Sequence, residues 1–516
     1  AGLSVTTGTK NTLVGGLAGD AITTGEYNVA LGQNALSAED TGSRNIAIGF
    51  EALRDLNYDG SAYNVAIGWQ AGLSITTGTR NTLIGGLTGD ALTSGYYNTA
   101  LGYQALSGSV SGRNAVAIGY QALMNENATN TETYNVAVGY TAGAQITTGV
   151  RNAILGGLAG DALTTGNYNV ALGYTALGGE DAGSANTAIG YAALAVQDAG
   201  DAYNTAVGFE AGKSVTTGVQ NTIMGGLAGD ALTTGEQNTA IGYAALSGET
   251  AGDRSVAIGT YALFAQNNTS NVDVYNIAIG YQAGTNVTTG SQNTIIGGLA
   301  GDALTSGANN VAVGYLALST EDTNGHNVAI GRKALQNLDA GVDAYNTAVG
   351  SSAGLSVTTG TLNTIVGGLA GDALTTGDSN VAIGYASMGA ADGSESRNVA
   401  VGYGTLATMN NDVSNYNTAV GYEAGNDITT GQYNTLIGGL AGDKVTTGSE
   451  NIALGYGALG SDDVGSYSVA IGSGALGAQN ASTTAVYNVA IGYAAGAAVT
   501  TGIQNTIIGG LAGDAL

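Results

Sequence analysis

One arrangement of polar and apolar positions runs the length of the chain. An Asn is followed by a variable residue, a small or aliphatic residue, an aliphatic residue and a Gly, as in Asn64-Val65-Ala66-Ile67-Gly68. The arrangement occurs 29 times. Strand side chains alternate between faces, so Val65 and Ile67 point one way and Ala66 the other. The fourth place is Val, Ile, Leu or Met in every copy, and the third is Ala, Leu or Ile. Both faces of a short strand are therefore predicted to be covered, with the recurring aliphatics filling the inside of a coil and the smaller face buried against something else, most simply an identical chain. The fifth place is always Gly, as at Gly15, Gly32, Gly49 and Gly68, which suits a turn with positive φ or a close backbone approach. Thr-Thr-Gly, as at Thr76-Thr77-Gly78, reads as a second short strand ending in another turn.

The copies fall into sets of four. Asn11-Thr12-Leu13-Val14-Gly15-Gly16 returns at Asn81, Asn152, Asn221, Asn293, Asn363, Asn434 and Asn505, at intervals of 69 to 72 residues. The step from the first to the second copy of a set, and from the fourth to the next set, is always 17 residues, whereas the third-to-fourth step varies from 18 to 21. Self-similarity at a fixed short period marks a solenoid. The predicted fold is all-β: an elongated parallel β-solenoid of about 29 stacked turns, about 140 Å long at about 4.8 Å per turn. Residues 1–516 read as one continuous array, seven sets of four turns plus a partial set. Asn opens 26 of the copies, among them Asn11, Asn28, Asn45 and Asn64; the exceptions are Ala115, Ser255 and Ser468. A stacked Asn column can bond its amides from turn to turn. Both ends of the chain fall inside a repeat, so the expectation is a fragment of a longer chain.

Asn-Val-Ala-Ile-Gly, at 64–68, 327–331 and 488–492, resembles the head repeat of YadA-like trimeric autotransporter adhesins. Asn204-Thr205-Ala206-Val207-Gly208 also looks like repeats of phage tail fibres. The resemblance covers the whole chain. It implies a left-handed β-roll, three chains side by side as a homotrimer, and an extracellular place on a cell or virion surface, with adhesion to a host receptor or surface glycan as the role.

Composition narrows the function classes. The chain has 88 Gly, no Pro, no Cys and a net charge of -26. Phosphate binding needs clustered Lys and Arg, so nucleic acid is not an expected partner. No apolar run approaches the roughly 20 residues of a membrane span. With no Cys and a single His, His326, no repeated nucleophile or general base is available, and no enzyme activity or cofactor is expected.

The best candidates for function are the variable segments before each fourth turn: 54–62, 124–133, 195–202, 264–274, 336–344, 407–415 and 477–486. Loops on a rigid scaffold often carry binding. A Tyr follows each of them: Tyr63, Tyr134, Tyr203, Tyr275, Tyr345, Tyr416 and Tyr487. Exposed rings can stack on sugars, or pack over a turn. Gly15-Gly16-Leu17-Ala18-Gly19-Asp20 recurs with Asp90, Asp161, Asp230, Asp302, Asp372, Asp443 and Asp514. It resembles a calcium-binding nonapeptide, but one Asp per set offers too few oxygens for the six to eight that Ca²⁺ takes. Glycosylation sequons stand at Asn127, Asn267, Asn268, Asn286 and Asn480. The function these features imply is a structural or adhesive surface fibre that presents loops along a rigid rod. The alternatives are a self-assembling filament with a purely structural role and an ice- or mineral-binding solenoid.

Overall fold

The computed structural model describes residues 1–127 and 129–515. It contains 29 strands of three residues each, from β1 (Thr12–Val14) to β29 (Thr506–Ile508), and no helix among the described residues. Consequently no helix there is long and apolar enough to cross a membrane. The strands belong to two compact units. The first, Ala1–Ser255 with Asn267–Asp273, carries β1 to β14 (Thr239–Ile241). The second, Val256–Gln266 with Val274–Leu516, carries β15 (Val256–Ile258) to β29. Within each unit every strand pairs in parallel with the next. Thr12, Leu13 and Val14 face Val29, Ala30 and Leu31 in the first unit, and Val256, Ala257 and Ile258 face Ile277, Ala278 and Ile279 in the second. Each unit is thus a parallel β-solenoid with one strand per turn.

The third place of the strand faces the core, and the larger aliphatics expected there face outward. Ala30, Ala47, Ala66 and Leu83 have no exposed surface. Three further positions of each turn join them, and they exchange volume. The first turn of a set carries Leu or Ile in the strand with a Gly eight residues after the Asn, as at Leu13 and Gly19. The second and third carry Ala in the strand and Leu at the later position, as at Ala30 and Leu36. The fourth returns to Gly, at Gly72, beneath the buried Ile75. A Cβ on Gly19 would lie 2.8 Å from the methyls of both Leu13 and Ile22, and one on Gly72 would lie 3.0 Å from Leu53 and Leu83. Close packing tolerates no such overlap. Volume exchange thus accounts for the period of four.

The Thr-Thr-Gly segment is not a strand. It forms a bend, because the N–H groups of Thr6, Thr7 and Gly8 converge on one acceptor, the carbonyl of Thr23, and the Thr6 hydroxyl joins them at 3.0 Å. Three donors on one oxygen are incompatible with a ladder, which needs one acceptor per donor.

The corners carry unusual backbone. Tyr27, Asn34 and Leu36 have φ of 58°, 56° and 54°, and the same three positions are left-handed turn after turn. Side chains other than Gly adopt this region at a cost of about 1–2 kcal/mol each. Here each such residue keeps its N–H paired with a neighbouring turn: Tyr27 to Thr9, Asn34 to Gly16 and Leu36 to Ala52, at 2.9–3.2 Å. The corner after the strand admits only Gly. Gly68 has φ +146°, and a Cβ there would stand 2.3 Å from the Gly85 carbonyl oxygen.

The Asn column closes each coil. Asn11 Oδ1 accepts the backbone N–H of Asn28 at 2.9 Å, while Asn11 Nδ2 donates to the Gly25 carbonyl at 2.8 Å. Asn28 repeats this with Asn45 and Gly42, and Asn64 with Asn81 and Gly78. The main link between turns is therefore side chain to backbone. Amide-to-amide bonds, such as Asn81 Nδ2 to Asn64 Oδ1 at 3.2 Å, supplement it.

The two kinds of glycine separate cleanly by substitution. Gly68→Ala is expected to cost more than about 3 kcal/mol, from strain and overlap together. Gly86→Ala, whose Cβ would meet only Tyr103 at an ordinary 3.5 Å, is expected to cost less than about 1 kcal/mol. Thermal melting of the two variants checks the contrast.

Candidate functional site

Six of the seven variable segments are each tied to the solenoid by a buried carboxylate, a feature the sequence does not announce. Glu39, Glu126, Glu180, Glu249, Glu321, Glu395 and Asp462 have no exposed surface. All but Glu126 accept an N–H from a variable segment: Glu39 from Tyr58 at 3.3 Å, Glu180 from Gln197 Nε2 at 2.7 Å, Glu249 from Asn268 at 2.9 Å, Glu321 from Ala340 at 3.5 Å, Glu395 from Asn411 at 2.8 Å, and Asp462 from Gln479 Nε2. Glu126 accepts from Asn135 Nδ2 at 2.8 Å, and its other oxygen is buried without a hydrogen-bond partner. Desolvation drives five of them toward the neutral acid. Burial pushes Glu39 and Glu126 up to about 7, and raises Glu180, Glu321 and Asp462. Several variable segments also rejoin the stack through single parallel bridges, as Ser61 to Ser43 and Ser414 to Ser396.

The seven tyrosines after the variable segments are exposed, from 46% at Tyr416 to 58% at Tyr203. All seven have left-handed backbone. They belong to a wider column, the residue that precedes each Asn. Over the first six turns that column alternates cation and aromatic: Lys10, Tyr27, Arg44, Tyr63, Arg80, Tyr97. Lys10 Nζ lies 4.5 Å from the Tyr27 ring centre. Arg44 sits over Tyr27 and Tyr63 at 5.4 and 5.5 Å, and Arg80 over Tyr97 at 5.2 Å. Arg151 over Tyr168 and Arg397 over Tyr416 repeat the contact. Elsewhere ring stacks on ring: Tyr416 on Tyr433, Tyr467 on Tyr487, and His326 on Tyr345 at 4.8 Å. For the stacked members, the faces a sugar would use are engaged within the chain.

A second column, the residue after the strand Gly, stacks rings in threes. Tyr103, Tyr120 and Tyr140 form one stack, and Tyr385, Tyr403 and Tyr422 another. Between the two columns lies the outer face of the strands, formed by the second and fourth places. Val14 is 54% exposed and Leu155 48%. Among the described residues the second and fourth places are half-buried or exposed in every strand, as in β4 (Val65–Ile67). A shallow, wholly apolar depression of about 300 Å³ is lined there by Val136, Val138, Leu155, Val170 and Leu172.

The Asp20 series does not assemble a cation site. Asp90, Asp161, Asp302, Asp372 and Asp443 are partly buried, which raises them. The two groups of three acids that come within 4.8 Å of one another among the described residues lie elsewhere, at Glu321, Asp322 and Asp339 and at Asp392, Glu395 and Asp412. The hydroxyls of Thr6, Thr76, Thr147 and Thr216 each donate to a carbonyl one turn away, at 3.0–3.4 Å. Of the sequons, the one at Asn127 includes Ala128, outside the described residues.

No family model matches the chain, and no curated protein matches it.

The carboxylates set a pH dependence. Glu39 and Glu126 rise from 4.5 to about 7 on folding, so the folded chain holds protons that the unfolded chain has released. Their contribution to stability is fully present below about pH 4.5 and is lost as pH rises through about 7. Melting is therefore expected at a higher temperature at pH 4.5 than at pH 8. Glu126→Gln, which cannot ionise, is expected to narrow that gap by stabilising the chain at pH 8 and changing little at pH 4.5. Melting curves at the two pH values check both.

Proposed function

We propose that the chain is part of a structural, adhesive surface fibre. Copies pack side by side along their outer strand faces as left-handed β-rolls in a homotrimer, and the variable segments face outward to a receptor. The observation that carries this reading is the absence of charge on one face. The second and fourth strand places are two positions per turn over 29 turns, and none is charged, although the chain has 12 Lys and Arg and 38 Asp and Glu. Solvent-facing strand positions ordinarily bear charge to prevent association. Every second-place residue is Thr, Val or Ile except Ala153; these β-branched residues suit packing between sheets.

The area is sufficient. At on the order of 50 Å² per side chain, the fourteen turns of the first unit offer roughly 1,400 Å², above the about 800 Å² per partner of a stable interface. An isolated monomer ordinarily shows a patch of a few hundred Å². A second copy presents the same face with the same repeat, so the contact can propagate turn by turn. The net charge of -26, carried elsewhere, limits association to this face.

Sedimentation equilibrium tests the reading. The chain is expected to sediment as a trimer, and the combined substitution Ile48→Lys, Ile67→Lys and Ile84→Lys, all outward-facing, is expected to yield a folded monomer. A wild-type chain that stays monomeric at micromolar concentration would contradict it.

A further inference from the structure

We propose that the alternating cation–tyrosine column of the first unit binds a linear polysaccharide bearing sulfate or carboxylate groups. This deepens the surface-fibre reading by giving the exposed tyrosines a ligand class, and it rests on that reading only for the ligand's place outside the cell.

Three observations carry it. The first is concentration. Six of the twelve Lys and Arg residues, Lys10, Arg44, Arg80, Arg151, Arg254 and Arg397, occupy this single place in the repeat. The second is the lack of acidic partners. In a chain with 38 acids, Lys10, Arg44, Arg80, Arg113 and Arg151 form no ion pair within 4.0 Å among the described residues; the ion pairs formed there involve Arg54, Lys213, Arg254, His326 and Lys444. Two carboxylates on this side of the repeat are engaged with neutral groups, Glu26 with the Thr9 hydroxyl at 3.0 Å and Glu132 with the Tyr134 hydroxyl at 2.7 Å. The third is orientation. A guanidinium stacked on a ring keeps its N–H edge free for a planar anion. Arg80 and Arg151 each use one nitrogen on a tyrosine hydroxyl, at 3.0 and 2.7 Å, and Arg44 uses one on the Ser61 hydroxyl. The remaining N–H groups are available to an anion.

The spacing defines the ligand. From Lys10 to Arg80 cations recur every second turn, about 10 Å apart at the strand spacing, with a tyrosine between them, and Arg151 follows four turns beyond Arg80. That suits an extended polymer with an anionic group at a similar interval and hydroxyls between. A nucleic acid fits less well. Tyr27 is held between Lys10 and Arg44, which leaves it no open face to stack a base, and the net charge of -26 opposes a densely charged polyphosphate.

The test uses the full chain and defined polymers. Wild-type protein is titrated with dextran sulfate, polygalacturonate, uncharged dextran and duplex DNA at physiological salt. Binding to dextran sulfate or polygalacturonate, with none to dextran, is expected. Arg44→Gln, Arg80→Gln and Arg151→Gln together are expected to weaken it by at least about tenfold. Lys213→Gln, Lys333→Gln and Lys444→Gln, which remove equal charge elsewhere, are expected to change it by less than about twofold. If the Gln variant fails to fold, Arg→Lys at the same three sites keeps the charge, and a severalfold loss is expected from the missing planar fork. Absence of binding to either anionic polymer, equal weakening by the control set, or tighter binding to DNA would overturn the proposal. None of these outcomes depends on the trimer, whose failure is read separately by sedimentation.

Discussion

The structure depends on what one primary amide does at the start of each strand. Its oxygen accepts the backbone N–H of the residue that precedes the next strand, and in the first, second and fourth turns of a set its nitrogen donates to the carbonyl that ends its own coil; at third places such as Asn327 it bonds closer by, to Gly325. One buried side chain thereby fixes the spacing of successive turns and the closure of each. Asp offers no donor, and Ser is too short to reach both partners. The three sets that lack Asn at their third place, at Ala115, Ser255 and Ser468, also have the longest third-to-fourth steps, 20, 21 and 20 residues. The Asn that follows keeps its bond to the Gly carbonyl of its own coil and adds a side-chain partner, as Asn135 does with Gly149 and Glu126 and Asn488 with Gly502 and Gln479; Asn204 does the same with Gly218 and Gln197 where the column is intact. Insertions collect where the column is weakest.

The same economy governs the core. First turns pair a bulky strand residue with a later Gly, second and third turns pair Ala with Leu or Met, and the fourth turn pairs Ala with a Gly that lies against bulky side chains of its neighbours, as Gly72 against Leu53 and Leu83. At the third core position the second or third turn of most sets carries a carboxylate in place of an aliphatic residue. Burying an ionisable group there costs stability, and what it provides in return is acceptors for the N–H groups at the base of a segment of variable length. Loop variation and core irregularity are therefore two sides of one arrangement. The scaffold tolerates diverse insertions because the stack beside them holds a polar group ready.

Much of this was legible in the sequence. The strand, its Gly corner and the stacking period follow from Asn64 to Gly68 and its repetition, because alternation and fixed spacing are backbone properties. Thr76-Thr77-Gly78 misleads: β-branched residues favour strands, but three donors shared by one carbonyl make a bend. The two faces of the strand were separable only in part. Ala66 and Ile67 are both apolar, and only the structure shows that the smaller faces the core while the larger faces out. Tyr63 and Tyr134 stand out because they follow the variable segments, yet the cations with which tyrosines alternate are visible only when the residues before each Asn are read down the column, as Lys10, Tyr27, Arg44 and Tyr63. The role of Glu39 was hidden, since its neighbour Asp40 makes the pair resemble a solvated turn.

Native-state amide exchange reads the central claim most directly. The account predicts slow exchange at the Asn N–H and the strand N–H groups that follow it, turn after turn, with Asn64→Ala releasing the N–H of Asn81 and its neighbours first. Strand amides that exchange as fast as those of residues 54–62, or a protection pattern of paired antiparallel segments, would contradict it.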